Sequence, residues 1–297
     1  MTSSRESSFK TVITADRHSV LYHLREALSY RDLILLFVRR NFTARYKQTL
    51  LGPLWALLQP LLTTFVFSLV FGRLGGLTTA DVPGGAGIPR VLFYLCGSIC
   101  WSLFAGTLQE VSDTFRSNRG TMGKVYYPRL TAPIATALSR CITFGLQLAM
   151  LAVLILFFAF SGGNGLRLSP MLAMLPVLLL QLLLLALGVG LLISSVTTKY
   201  RDLAMLVGFG LQLWHYATPV VYGLSLVTDK AAEQPLPVKL YLLNPMTQII
   251  TGCRYALLGS GYFDPVLWLI SLGLTLLLLL LGLMAFGRVE RNFMDTI

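Results

Sequence analysis

Long apolar runs separated by short polar stretches dominate the sequence. Six of these runs reach the roughly 20 residues needed to cross a bilayer as helix: about 54–72, 91–111, 134–160, 170–196, 203–222 and 266–286. Upstream, Val20, Leu21, Leu24, Ala27 and Leu28 recur at helical spacing with Arg25, Glu26, Arg31 and Asp32 between them, so residues 16–40 are expected as an amphipathic helix at a membrane surface. A further segment, about 246–260, is apolar but short and contains Gly252 and Arg254; it is expected as a re-entrant or interfacial helix and not a seventh crossing, begun at Asn244–Pro245 and allowed to bend at Gly252. The expected fold class is an all-α integral membrane protein. Its parts are a tail and interface helix (1–50), a transmembrane domain (51–287) and a terminal tail (288–297).

Composition supports this reading. Only 12% of the 297 residues are charged and 55% are hydrophobic, against about 25% charged in an average soluble domain. The first 30 residues are too polar for a cleavable signal peptide.

Charge then orients the spans. With six crossings and both termini inside, seventeen of the 24 Lys and Arg fall on the inner side and six on the outer, with Arg140 inside a span. The expected topology is therefore multi-pass with both termini cytoplasmic. The net charge of +11 is distributed between apolar runs, not along a groove-sized face, so no nucleic-acid partner is expected.

The chemistry-bearing residues exclude several classes. No phosphate-cradling GxxxxGK[ST] occurs, because Gly123–Lys124 is followed by Val125. GxSxG and HExxH are absent too, and no catalytic residue is assigned. The three histidines are scattered and the four cysteines lack paired spacing, so no metal site is expected and the cysteines are read as packing residues. Glu110 and Asp113 share a helix face and could pass for paired carboxylates; the plainer reading is an ion pair with Arg140 or Arg116. No acidic residue lies mid-span, which counts against proton-coupled transport.

Five blocks carry a family resemblance: RDLILLFVRRNFTARYKQTLLGPLWALLQPLL at 31–62, KVYYPRLTAP at 124–133, TTKYRD at 197–202, QLWHYATPVVYGL at 212–224 and LLNPMTQIITGCRYALL at 242–258. In this order they resemble permeases of the ABC-2 class (type V ABC transporter fold), especially Wzm-like exporters of O-antigen polysaccharide, which are related to teichoic acid exporters. The resemblance implies a homodimer working with two copies of a separate P-loop ATPase, which would bind the ATP and Mg; this chain would hold no cofactor and catalyse no hydrolysis. The implied cargo is a lipid-linked polysaccharide.

The resemblance also implies residue roles. Arg116, Arg119, Lys124, Tyr126 and Tyr127 would form the ATPase-coupling and gate segment. Arg39, Arg40, Arg45 and Lys47 would meet lipid head groups at cargo entry. Trp214, Tyr216, Tyr222, Trp101 and Phe104 would offer rings to sugar C–H faces along a pathway; packing between helices is the competing role for each ring. Arg254 would face cargo at the exit, or pair with Glu233 or Asp264. Three readings stay open beside this one: the same fold carrying teichoic acid or another amphiphile, an ion-coupled carrier, and a membrane enzyme acting on lipid-linked sugars.

Overall fold

The computed structural model describes residues 20–74, 85, 87–118, 120, 127–161, 169–198, 200, 202–228 and 235–292. Within them the regular structure is helical throughout. The described residues begin with two short helices, α1 (Val20–Ser29) and α2 (Arg31–Tyr46), separated at Tyr30. The amphipathic stretch expected as one helix is thus divided, and its second part continues to Tyr46. Ile34, Phe37 and Val38 of α2 are buried against the bundle.

Among the described residues, five helices are long and apolar enough to cross a membrane: Gly52–Phe71, Arg90–Ser112, Thr131–Phe160, Pro170–Thr197 and Pro265–Val289. The first contains α3 (Trp55–Phe67), preceded by a 3-10 turn and passing into a π-helical turn, Ser68–Leu74. The second is α4 (Arg90–Ser112), followed by the one-turn α5 (Thr114–Ser117). The third is α6 (Thr131–Phe160) and the fourth contains α7 (Leu175–Thr197). Between α7 and the last span lie α8 (Leu203–Tyr216), the one-turn α9 (Ser225–Thr228), α10 (Pro235–Leu243) and α11 (Pro245–Leu258). The last span lies in α12 (Pro265–Asn292).

Burial ranks these helices. In α4, 72% of the most apolar stretch is buried, against 17% in the first and last spans. So α4 is the axis, and the outer helices expose Leu, Val and Phe as helices bathed in lipid do. Small residues set the tightest contact: a Cβ on Gly188 of α7 would lie 2.7 Å from the backbone of Leu279 on α12, the close approach that membrane helices use in place of a hydrophobic drive. Gln181 ties the same pair, donating to Ser271 Oγ at 2.8 Å and accepting from Trp268 Nε1 at 2.9 Å.

The stretch expected as a sixth span is shorter as a helix. Its helical part, α8, ends at Tyr216 after 14 residues, about 21 Å at 1.5 Å per residue. The cause is local: Pro219 supplies no N–H and disfavours helix at Thr218. The segment that Gly252 would allow to bend does not bend. Helix α11 runs unbroken through it, and a Cβ there would come within 3.1 Å of Leu178, so the glycine serves close packing. Asn244 does begin the helix, accepting from Met246 N at 3.1 Å, and Gly259 ends it at φ +69°.

Candidate functional site

Three helices meet at Glu110 of α4. Both its carboxylate oxygens accept from Arg45 Nη2 of α2, at 2.7 and 2.8 Å, and Oε1 also accepts from Arg140 Nη2 of α6 at 2.5 Å. Arg45 donates further to Thr143 Oγ1 at 3.1 Å. The reach of Arg140 depends on Gly106, one turn before Glu110. A Cβ at that position would lie 2.6 Å from Arg140 Nη1 and 2.7 Å from Cζ. Asp113 is engaged separately, 2.7 Å from Arg116 Nε. The plainer reading of the two carboxylates is therefore the structural one: both are held by arginines.

This cluster separates two open cavities. On the α2 side lies a cleft of about 620 Å³ bordered by Arg40, Arg45, Glu110, Asp113, Arg116 and Asn118. Arg40 donates to Asn118 Oδ1 at 3.0 Å while resting over the Phe37 ring. On the other side lies a groove of about 460 Å³ lined by Gln59, Thr63, Ser98, Ser102, Arg140 and His215, with Trp101 beside them. Gln109 borders both. A groove this polar between membrane helices is expensive unless it holds water or a polar ligand.

Trp101 and His215 line the groove where α3, α4 and α8 converge, and further rings pack around them. Trp101 stacks on His215 at 4.9 Å and sits 5.4 Å from Phe104. Phe104 meets Trp214 edge-on at 5.0 Å, and His215 stacks on Tyr216 at 5.8 Å. Stacking of this kind leaves ring faces and edges in one continuous patch.

Beyond α8 the chain is irregular, and α11 holds it. The carbonyls of Pro219, Val220 and Tyr222 have lost helical partners, and all three accept from the guanidinium of Arg254. Arg254 is 2% exposed, lies over the Phe93 ring at 3.8 Å and fits because Gly97 has no side chain. Asn244 completes the brace, donating to Ala217 O and Thr218 Oγ1 and accepting from Trp214 Nε1.

Residues 32–258 match the profile of the ABC-2 type transporter family. The chain belongs to the ABC-2 type transporter family. Among its relatives is the O-antigen export system permease protein RfbA of Myxococcus xanthus, 28% identical over 77% of this chain and 81% of the relative. Two proteins of the same name from Klebsiella pneumoniae are 23% and 22% identical, each over 89% of this chain and 94% of the relative.

In this ABC-2 chain the residues nominated from the sequence fall into four groups. Trp101, Phe104, Trp214 and Tyr216 come together in the ring patch; Phe104 is fully buried within it, whereas Tyr216 is 63% exposed. Tyr222 stands apart, donating to Tyr216 O and accepting from Tyr241 Oη. Of the basic collar, Arg39, Arg40 and Lys47 are exposed, while Arg45 turns inward to Glu110. Arg116 is exposed and paired with Asp113. Tyr127 packs edge-on against Phe37 at 5.4 Å, and burial pushes its phenol up from the ordinary value against the pull of Arg40 and Arg129. Arg119, Lys124 and Tyr126 lie outside the described residues. Arg254 binds carbonyls, and Asp264, one of its expected partners, instead accepts from Val266 N at the start of α12; Glu233 lies outside the described residues. Sequence reasoning missed Asn244 as a brace and Gly97 and Gly106 as seats for arginines. A glycine gives a pattern search nothing to distinguish a seat from a spacer.

Proposed function

We propose that this chain is the membrane permease subunit of an ATP-driven ABC exporter moving a lipid-linked, O-antigen-like polysaccharide outward across the bacterial inner membrane. The observation that carries the reading is the polar groove with Trp101 in its wall, set at membrane depth and adjoining a basic cleft. Hydroxyls can pair with Gln59, Ser98, Ser102 and His215, and sugar C–H faces can rest on Trp101, with the exposed Tyr216 ring stacked on His215 beside the groove. The names of the relatives point to the same cargo.

In this reading α1 and α2 lie on the cytoplasmic side, and α8 with residues 217–222 makes a sixth, discontinuous crossing, which brings both termini inside. Helices α10 and α11 form a re-entrant pair on the outer side, since α11 at 14 residues is too short to cross. The groove stands open along α3 and α8, and a second copy would complete its wall. Two copies of a P-loop ATPase would supply hydrolysis, because this sequence carries no GxxxxGK[ST] motif. The cleft edge at Arg116 is the coupling point nearest to where such a subunit docks.

The test is co-purification with a P-loop ATPase from the same source, followed by ATPase assays in nanodiscs with candidate lipid-linked glycans. A two-plus-two complex whose hydrolysis responds to one glycan class is expected. A permease that binds no ATPase, and whose transport collapses with the ion gradient while ATP is maintained, would replace this reading by an ion-coupled carrier.

A further inference from the structure

We propose that the Arg45–Glu110–Arg140 cluster is a transit site for a phosphate-class anion, in which Glu110 is a resident counter-ion that the arriving anion displaces. The charge balance comes first. Two guanidinium groups share one carboxylate, and the side chains are only 21%, 22% and 33% exposed. An excess positive charge half-removed from water is costly unless an anion joins it. Counting the described residues that line the two cavities, Arg40, Arg45, Arg116 and Arg140 face only Glu110 and Asp113.

Donor capacity points the same way. Each guanidinium offers five N–H donors, whereas Glu110 accepts three bonds from the pair and Thr143 one. Arg140 Nε is buried with no hydrogen-bond partner among the described residues. A phosphate group presents more oxygens and more charge than a carboxylate, and its tetrahedral face suits the guanidinium fork. The ligand class is therefore a phosphate ester or diphosphate, not a neutral sugar.

Position turns this anion site into a transit site. Arg45 and Glu110 border the cleft, Arg140 borders the groove, and Gln109 borders both. An anion crossing from one cavity to the other exchanges contacts with Arg40 for contacts with Arg45, then Arg140. Glu110 keeps the two arginines together when no anion is present, so the passage is closed by an internal ion pair and opened by the ligand's own charge. That the anion belongs to the transported molecule rests on the export reading; that the cluster takes an anion does not.

The experiment uses the full-length permease in nanodiscs and follows its thermal stability with inorganic pyrophosphate, against sodium chloride at matched ionic strength. Wild type is expected to show a saturable shift with pyrophosphate alone. E110Q removes the competitor and is expected to bind pyrophosphate about tenfold more tightly, the size of one charge-assisted contact. R140Q is expected to weaken binding by about tenfold, with R140K recovering part of it. G106A, which evicts the guanidinium while leaving Arg140 in the sequence, is expected to match R140Q. The sign of the E110Q effect separates the proposal from a merely structural ion pair, whose loss would weaken fold and binding together. Equal responses to pyrophosphate and chloride, or an E110Q protein that binds no better than wild type, would overturn it. Competition by a polyprenyl diphosphate assigns the anion to a lipid linkage. Pyrophosphate binding without that competition supports the site with free phosphate as ligand and counts against the export reading alone.

Discussion

Arg254 and Asn244 do the work at the residue scale that a continuous helix would otherwise do. Where backbone loses its helical partners at membrane depth, each free carbonyl needs a donor. Three of them find one guanidinium, and a fourth, Ala217 O, finds the Asn244 amide. Replacing Arg254 with Met keeps most of the volume and removes every donor, at about 1–3 kcal/mol for each carbonyl left unmet. The expected result is a Tm several degrees below wild type, with R254K intermediate because an ammonium has three donors and no planar fork. N244A removes the cap of α11 together with the brace, and about 1 kcal/mol is expected from the cap alone. Loss of the Trp214 Nε1 bond should also shift the tryptophan emission, which gives a readout that simple destabilisation lacks.

At the scale of elements, the α8 region tests how far pattern reading reaches. Leu203–Tyr222 has the hydropathy of a span, yet the helix stops at Tyr216 because Thr218–Pro219 cannot continue it. Restoring helix potential with P219A should not lengthen α8 by itself, since Arg254 and Asn244 already hold the irregular form. In the R254M background the same substitution should recover part of the lost stability. A double-mutant cycle on Tm measures that coupling.

The five long candidate spans were legible because apolar length suffices for a helix surrounded by lipid; their ends match the expectation within three residues, and α12 itself continues to Asn292. The charge cluster was only half legible. The pairing of Glu110 with Arg140 follows from spacing near one membrane edge. Arg45 joining them does not, because nothing local distinguishes an arginine turned inward from its exposed neighbours Arg39 and Lys47. The bend that Gly252 would allow in α11 is absent for a related reason: glycine permits a bend but also permits contact, and here Leu178 takes the contact.

The whole molecule is a bundle around α4 with an unfinished side. The two helices α3 and α8, which both contribute to the groove, also expose large apolar side chains, Leu62 and Phe65 on α3 and Met205, Phe209 and Tyr216 on α8. A homodimer with two ATPase subunits is the assembly that would complete it, and native mass measurement in detergent is expected to return that two-plus-two stoichiometry. The orientation has its own check. Single cysteines placed at Thr2 and Ile297, in a background lacking the four native thiols, are both expected to resist a membrane-impermeant maleimide in intact cells. Labelling of one end alone would mean an odd number of crossings.

Gly97 and Gly106 stand nine positions apart on α4, two and a half turns, so they lie on opposite sides of the same helix and about 13 Å apart along it. Each is the floor beneath one arginine, Arg254 above the first and Arg140 above the second. The consequence is genetic. In a selection for revertants of a G106A strain, the compensating change should fall at Arg140 as R140K, which keeps the cation on a slimmer head, and not at Arg254. Revertants of G97A should fall at Arg254 and spare Arg140. Two substitutions of the same kind in one helix would thus have separate suppressor sets, and a strain carrying both would need two independent second hits to grow.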